Sequence, residues 1–198
     1  MSTLMPHKYE QIDFSHLKKL TGISEDQLAV HFGLYAGYVA NTNKCNQLVA
    51  ELAAAGKTGT PEWAEINRRL GWEYNGMRLH EYYFGNLTAG GRGKPGAKFT
   101  AAVEKTFGSV DKWKEDFIAC GTMRGIGWVI AYYDETVGVV SNQFIAEHDM
   151  GHPAGFKPIV VMDVWEHAFM VDYKPADKKK YIEAFFANLD WDTVDSRI

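Results

Sequence analysis

Asp163 and His167 stand four residues apart in Asp163-Val164-Trp165-Glu166-His167, directly after the strand-like run Ile159-Val160-Val161-Met162. One helical turn from a strand end brings a carboxylate and an imidazole to the same point in space. A hard oxygen donor beside an imidazole nitrogen suits a borderline divalent or trivalent metal ion. The same spacing also occurs as a solvated or hydrogen-bonded pair on a helix face. The setting narrows the choice, because Val164, Trp165, Ala168 and Phe169 surround three ionisable groups. Buried charge is costly unless it is paired or coordinated, so this stretch holds either a salt-bridge network or a metal.

Two more histidines fall on helical patterns. His31 shares a face with Tyr35 and Tyr38, which lie at about 40° and about −20° from it around an ideal helix. His80 sits in a second aromatic-rich pattern with Trp72, Met77, Tyr83 and Phe84. Each is either a hydrogen-bonded core histidine or a ligand. His148 and His152 are four apart in a loop with Gly151 and Gly155; they form either an adventitious second metal pair or, as expected, a pair of exposed loop histidines.

The elements that must position these groups are legible in outline. Residues 1–22, with Pro6 and a polar run to Asp13, read as an irregular lead-in. Ser24 with Gln27 three residues on forms a capping box, and Glu25 and Asp26 favour a helix N-terminus, so a helix is expected from Ser24 to about Ala55. Pro61 is placed for the first turn of a second long helix, to about Leu87. Two long helices with a short connection pack antiparallel. Ala89-Gly90-Gly91-Arg92-Gly93-Lys94-Pro95-Gly96 cannot hold a helix and reads as a linker, without the lysine-serine/threonine pattern of a phosphate loop. Helices follow over 97–107 and 110–122. Strands are expected at Trp128–Tyr133, Val137–Ser141 and Pro158–Asp163, with a final long helix over 176–189 and a short one from Asp192. The fold class is α+β: an N-terminal long antiparallel α-hairpin, then a three-stranded antiparallel sheet flanked by helices.

Composition excludes other classes. The 198 residues are 46% apolar and 23% charged, with a net charge of −4 and no long run of one sign. Nothing argues for nucleic acid or a membrane, and Lys178-Lys179-Lys180 reads as an exposed helix face. Cys45 and Cys120 have no metal-finger spacing, and the polar N-terminus has no signal-like core, so a cytoplasmic protein is expected.

Asp163-Val164-Trp165-Glu166-His167-Ala168 resembles the signature of the iron/manganese superoxide dismutase family, in which the Asp and the His are metal ligands. Ile23 through Gly33 resembles the stretch that carries the family's first ligand, at His31. The run from Asn75 to Leu87 resembles its second-ligand helix, with His80 as ligand. The resemblance implies one manganese or iron ion per subunit on His31, His80, Asp163 and His167, and the disproportionation of superoxide to dioxygen and hydrogen peroxide. It implies Tyr38 as gateway tyrosine and Gln143 as its hydrogen-bonding partner. Trp128 and Trp165 would wall the cavity, and Glu166 would reach across the two-fold interface of a homodimer or homotetramer. Residues 1–90 would form the helical-hairpin domain and 97–198 the metal-binding domain.

The chain departs from the family in places. Tyr38 follows His31 by seven residues, where the family steps eight and has two adjacent histidines in the gap. Seven residues of straight helix rotate about −20° and eight about 80°, so an unbulged helix keeps Tyr38 on the His31 face, with Tyr35 as the alternative occupant. Phe84 replaces a common Trp, Glu81 a small hydroxyl residue and Met170 a Tyr. Gly76 stands where other members carry the glutamine, which here is expected at Gln143. Two readings rival the dismutase: a related metal-binding protein with little dismutase activity, and a non-haem iron oxygenase with two histidines and one carboxylate.

Overall fold

The structure is a computed structural model that describes residues 6–198. Residues 1–5 of the expected lead-in lie outside the described residues. The rest of the lead-in, through Gly22, contains neither helix nor strand.

Helix α1 spans Glu25–Ala54, and the Ser24 hydroxyl caps it by accepting from the Gln27 amide. It is α-helical throughout, with no bulge between His31 and Tyr38. Helix α2 spans Pro61–Gly85, with Thr60 as cap and Pro61 in its first turn. The two pack along each other as an antiparallel hairpin. Helices α3 (Ala97–Phe107) and α4 (Val110–Thr122) follow, separated at Gly108 with φ 79°. That left-handed turn suits glycine.

Strands β1 (Gly127–Asp134), β2 (Val139–Ala146) and β3 (Lys157–Asp163) form an antiparallel sheet in the order β2-β1-β3. Trp128 faces Asp163 on one side and Ile145 on the other. β2 runs five residues further than its sequence suggests, from 139 to 146 rather than 137 to 141, so Gln143 lies inside the strand. The polar Ser141-Asn142-Gln143 reads as a turn, yet the strand continues because these residues are only half-buried and Ile145 returns to the core. The segment after β3 forms a single 3-10 turn, Glu166–Ala168. The final long helix is shorter than expected: a 3-10 turn at Pro175–Asp177 precedes α5 (Lys178–Ala187), and α6 (Trp191–Ser196) closes the chain.

The glycine-rich segment is docked. Arg92 donates to both oxygens of the buried Asp190, at 3.1 and 2.6 Å, and Asp190 in turn caps α6. One core runs from the hairpin into the sheet. Tyr83, Phe84, Trp113, Phe117, Tyr181 and Phe185 are all fully buried. Asn86 ties α2 to β3 by donating to the Val161 carbonyl at 2.7 Å. Among the described residues, no helix is long and apolar enough to cross a membrane.

Candidate metal centre

Four side chains converge where the hairpin meets the sheet. His31 comes from α1, His80 from α2, Asp163 from the end of β3 and His167 from the 3-10 turn. One ligand atom from each lies within 4.8 Å of all the others. Asp163 Oδ2 is 3.1 Å from His31 Nε2, 3.2 Å from His167 Nε2 and 3.6 Å from His80 Nε2. His31, His80 and Asp163 are buried, while the His167 side chain is 19% exposed.

The His80 ring is held from behind. His80 Nδ1 is 2.6 Å from the Gly76 carbonyl. A carbonyl only accepts, so Nδ1 carries the proton and the lone pair of Nε2 points into the cluster. That Nε2 is buried and has no hydrogen-bond partner. Gln27, one turn before His31 on α1, donates to the His167 carbonyl at 2.6 Å and accepts from the Val171 amide at 3.0 Å. The helix that carries one histidine therefore fixes the turn that carries another. Asp163 Oδ1 accepts from the Trp165 amide at 2.8 Å, which leaves Oδ2 for the histidines. The Asp163 carbonyl accepts from Tyr181 at 2.7 Å.

Burial alone would raise the Asp163 carboxyl, but the charge and hydrogen bonds of His167 and His31 hold it well below the usual carboxylate range. Burial lowers His31, and it lowers His80 well below the usual imidazole value. A neutral imidazole and an anionic carboxylate are the states in which His and Asp bind a borderline metal, and burial favours the first at His31 and His80. An unpartnered, buried nitrogen aimed at a carboxylate oxygen is otherwise costly. The donor set therefore fits iron or manganese.

Tyr38 faces this cluster, stacked on His80 with ring centroids 5.1 Å apart. The straight α1 explains why the seven-residue step preserves its direction. Its ring occupies the space that a side chain at position 76 would need: a Cβ on Gly76 would lie 2.6 Å from it. Tyr35 does not take its place. Its hydroxyl accepts from the Ile12 amide and donates to Glu81, both at 3.0 Å, and Glu81 is paired with Arg78. Glu81 thus ties α2 to α1. Trp128 packs edge-on against His80 at 5.0 Å, and Trp165 stacks on His167 at 5.8 Å. Glu166 is exposed.

The partner of Tyr38 differs from expectation. Gln143 is half-buried on β2, and its amide reaches Ser141 Oγ at 3.3 Å, not Tyr38. His148 is there instead, and the expectation that it lies exposed is wrong. It is fully buried, with Nε2 2.7 Å from the Tyr38 hydroxyl, Nδ1 3.0 Å from Trp128 Nε1, and its ring stacked on Trp165. Indole N–H only donates, so Nδ1 accepts and Nε2 carries the proton. His148 therefore donates to the Tyr38 oxygen, and the Tyr38 hydroxyl hydrogen stays available to a third group. Burial pushes His148 down to about 4, so it is neutral at ordinary pH. The sequence clue to it is weak: it follows β2 closely, but only if the strand is known to reach Ala146.

The comparisons agree with this geometry. Residues 95–197 match the family model for iron/manganese superoxide dismutases, C-terminal domain. The chain is 34% identical to superoxide dismutase [Fe] of Aquifex pyrophilus, over 96% of this chain and 91% of the relative. It is 36% identical to superoxide dismutase [Fe] of Cupriavidus metallidurans, over 90% of each. It is 30% identical to superoxide dismutase [Mn] 2 of Haloferax volcanii, over 98% of this chain and 92% of the relative. With the matches running through the hairpin that carries His31 and His80 as well as the sheet that carries Asp163, the chain belongs to the iron/manganese superoxide dismutase family.

Proposed function

We propose that this protein is a superoxide dismutase working with one iron or manganese ion per subunit, held by His31, His80, Asp163 and His167. The convergence of those four ligand atoms within 4.8 Å carries the reading. When bound, the metal supplies a one-electron acceptor for one superoxide and a one-electron donor for the next, giving dioxygen and, with two protons, hydrogen peroxide.

The chain's own residues supply the rest. Asp163 offsets the charge of the ion. Tyr38 and His148 carry the proton-handling role first expected of Tyr38 and Gln143: His148 Nε2–H fixes the phenol oxygen, and the phenol hydrogen is directed to substrate. Burial raises the Tyr38 phenol, so it keeps its proton throughout the working range. Trp128 and Trp165 exclude bulk water, which strengthens each of these interactions. Four converging ligands leave less open space than the three-ligand site of an iron oxygenase.

Glu166 is exposed and lines one surface hollow with Met123 and Ile126, which are 49% and 40% exposed. This surface supports a homodimer about a two-fold axis. Two free cysteines, Cys45 and Cys120, support a reducing, cytoplasmic setting.

The test is superoxide loss per bound ion, on protein loaded separately with iron and with manganese. Fast turnover with either ion is expected. Tight binding of both without turnover would replace the dismutase by a metal-binding relative.

A further inference from the structure

Two residues of β1 grip two residues of the loop after β2. Trp128 and Tyr132 lie on the same face of the strand, four apart, and their partners His148 and His152 are also four apart. His152 Nε2 is 2.8 Å from the His148 carbonyl, and its Nδ1 is 2.5 Å from the Tyr132 hydroxyl. The carbonyl can only accept, so Nε2 carries the proton and Nδ1 accepts from Tyr132. The string Tyr132 O–H to His152 to the His148 carbonyl is fully satisfied, and each bond polarises the next. Tyr132 is 2% exposed, so its end of the string is anchored in the core.

The loop needs such an anchor. Glu147, immediately before His148, has φ 54°, a conformation that residues other than glycine rarely adopt. The bonds of the His148 ring hold its far end, while the His152 bond holds its peptide. We infer that His152 is a positioning residue: it fixes the backbone of His148 and thereby the point at which His148 meets Tyr38. The effect on turnover rests on the dismutase reading, whereas the geometric effect on His148 does not.

The test uses His152→Ala, His152→Gln, Tyr132→Phe and a Tyr38→Phe background. Supports of this kind are worth about 10- to 100-fold in activity. His152→Ala and Tyr132→Phe should each lower turnover per bound ion at least tenfold, with the double variant no worse than either alone. His152→Gln keeps a side-chain N–H for the carbonyl and should recover most of the loss. In Tyr38→Phe protein, His152→Ala should cost little further. The second readout is the imidazole nitrogen spectrum of metal-free protein. His148 should report a single tautomer, protonated on Nε2, in the wild type and in His152→Gln, and an averaged one in His152→Ala and Tyr132→Phe. If His152→Ala fails to fold, Tyr132→Phe carries the same expectations. Unchanged His148 signals in both variants would overturn the inference, as would an undiminished His152→Ala loss in the Tyr38→Phe background. A wild type without turnover whose His148 signals respond as expected would remove the dismutase reading and leave the positioning role standing.

Discussion

Replacing Gly76 by Ala should separate activity from stability. The new methyl group would sit 2.6 Å from Tyr38 Cδ1 and 2.8 Å from Cε1. Unstrained carbon atoms approach to about 3.5–4.0 Å, so the ring must retreat by roughly 1 Å. The Tyr38 hydroxyl begins 2.7 Å from His148 Nε2. The same retreat lengthens that contact to at most roughly 3.7 Å, past the range of a hydrogen bond. A displacement of about 1 Å at a reacting group can cost on the order of 100-fold in rate. Stability should move far less. Overpacking costs about 1–3 kcal/mol, and Ala offsets about 1 kcal/mol of that by its helix propensity over Gly. For a chain of this length the net change is a fall in Tm of a few degrees, at about 2–4 °C per kcal/mol. The assay is superoxide loss per bound ion, paired with thermal unfolding. Gly71→Ala is the control, since it lies on the same helix and its Cβ would meet nothing within 4 Å. It should raise Tm slightly and leave turnover alone. Gly76→Ala protein with wild-type turnover would refute the claim that the position of the Tyr38 ring governs the rate.

Three further outcomes follow from the same contacts. Tyr35→Phe strands the Ile12 amide and one oxygen of Glu81, so it should cost about 1–3 kcal/mol in urea unfolding while turnover per ion is retained; a parallel loss of turnover would give Tyr35 a part in the site. His148 has a folded value of about 4 against an unfolded value of about 6.5, so between those limits the unfolded chain takes the proton first and stability falls with falling pH, by about 3 kcal/mol in all. Metal-free wild type should therefore lose more stability than His148→Gln between pH 7 and pH 4.5, and equal losses would contradict the burial of a neutral imidazole. Manganese or iron at a thousandfold excess over its Kd should stabilise the wild type by about 4 kcal/mol and His80→Ala scarcely at all, read as the shift in unfolding midpoint.

The features legible in the sequence are those with local causes. Ser24, Pro61 and the aromatic periodicity announce both long helices, and Asp163 to His167 announces the metal stretch. What the sequence hid depends on meetings between distant segments. His148 looks like any loop histidine because its partners, Tyr38, Trp128 and Trp165, come from α1, from β1 and from beyond β3. The family resemblance alone points to Gln143 for that role, whereas β2 runs on to Ala146 and the Gln143 amide turns to Ser141. Glu81 seemed out of place on an aromatic helix until the packing of α1 against α2 supplied Tyr35. The one-residue contraction between His31 and Tyr38 was interpretable in advance, since helical rotation is a property of the backbone alone.

Three of the four residues that converge on one point are closed off from solvent, and His167 alone keeps an edge toward it. An ion inside would be enclosed on most sides by packed rings, so its departure would await a parting of the hairpin from the sheet. Those two layers are stitched together by Asn86 and Gln27, and such partings are rare events of local unfolding. Which metal a given molecule carries would then be decided largely when it folds, by whichever ion was at hand, and preserved afterwards by slow exchange. Metal content in this protein would be a record of its history as much as a measure of its affinity.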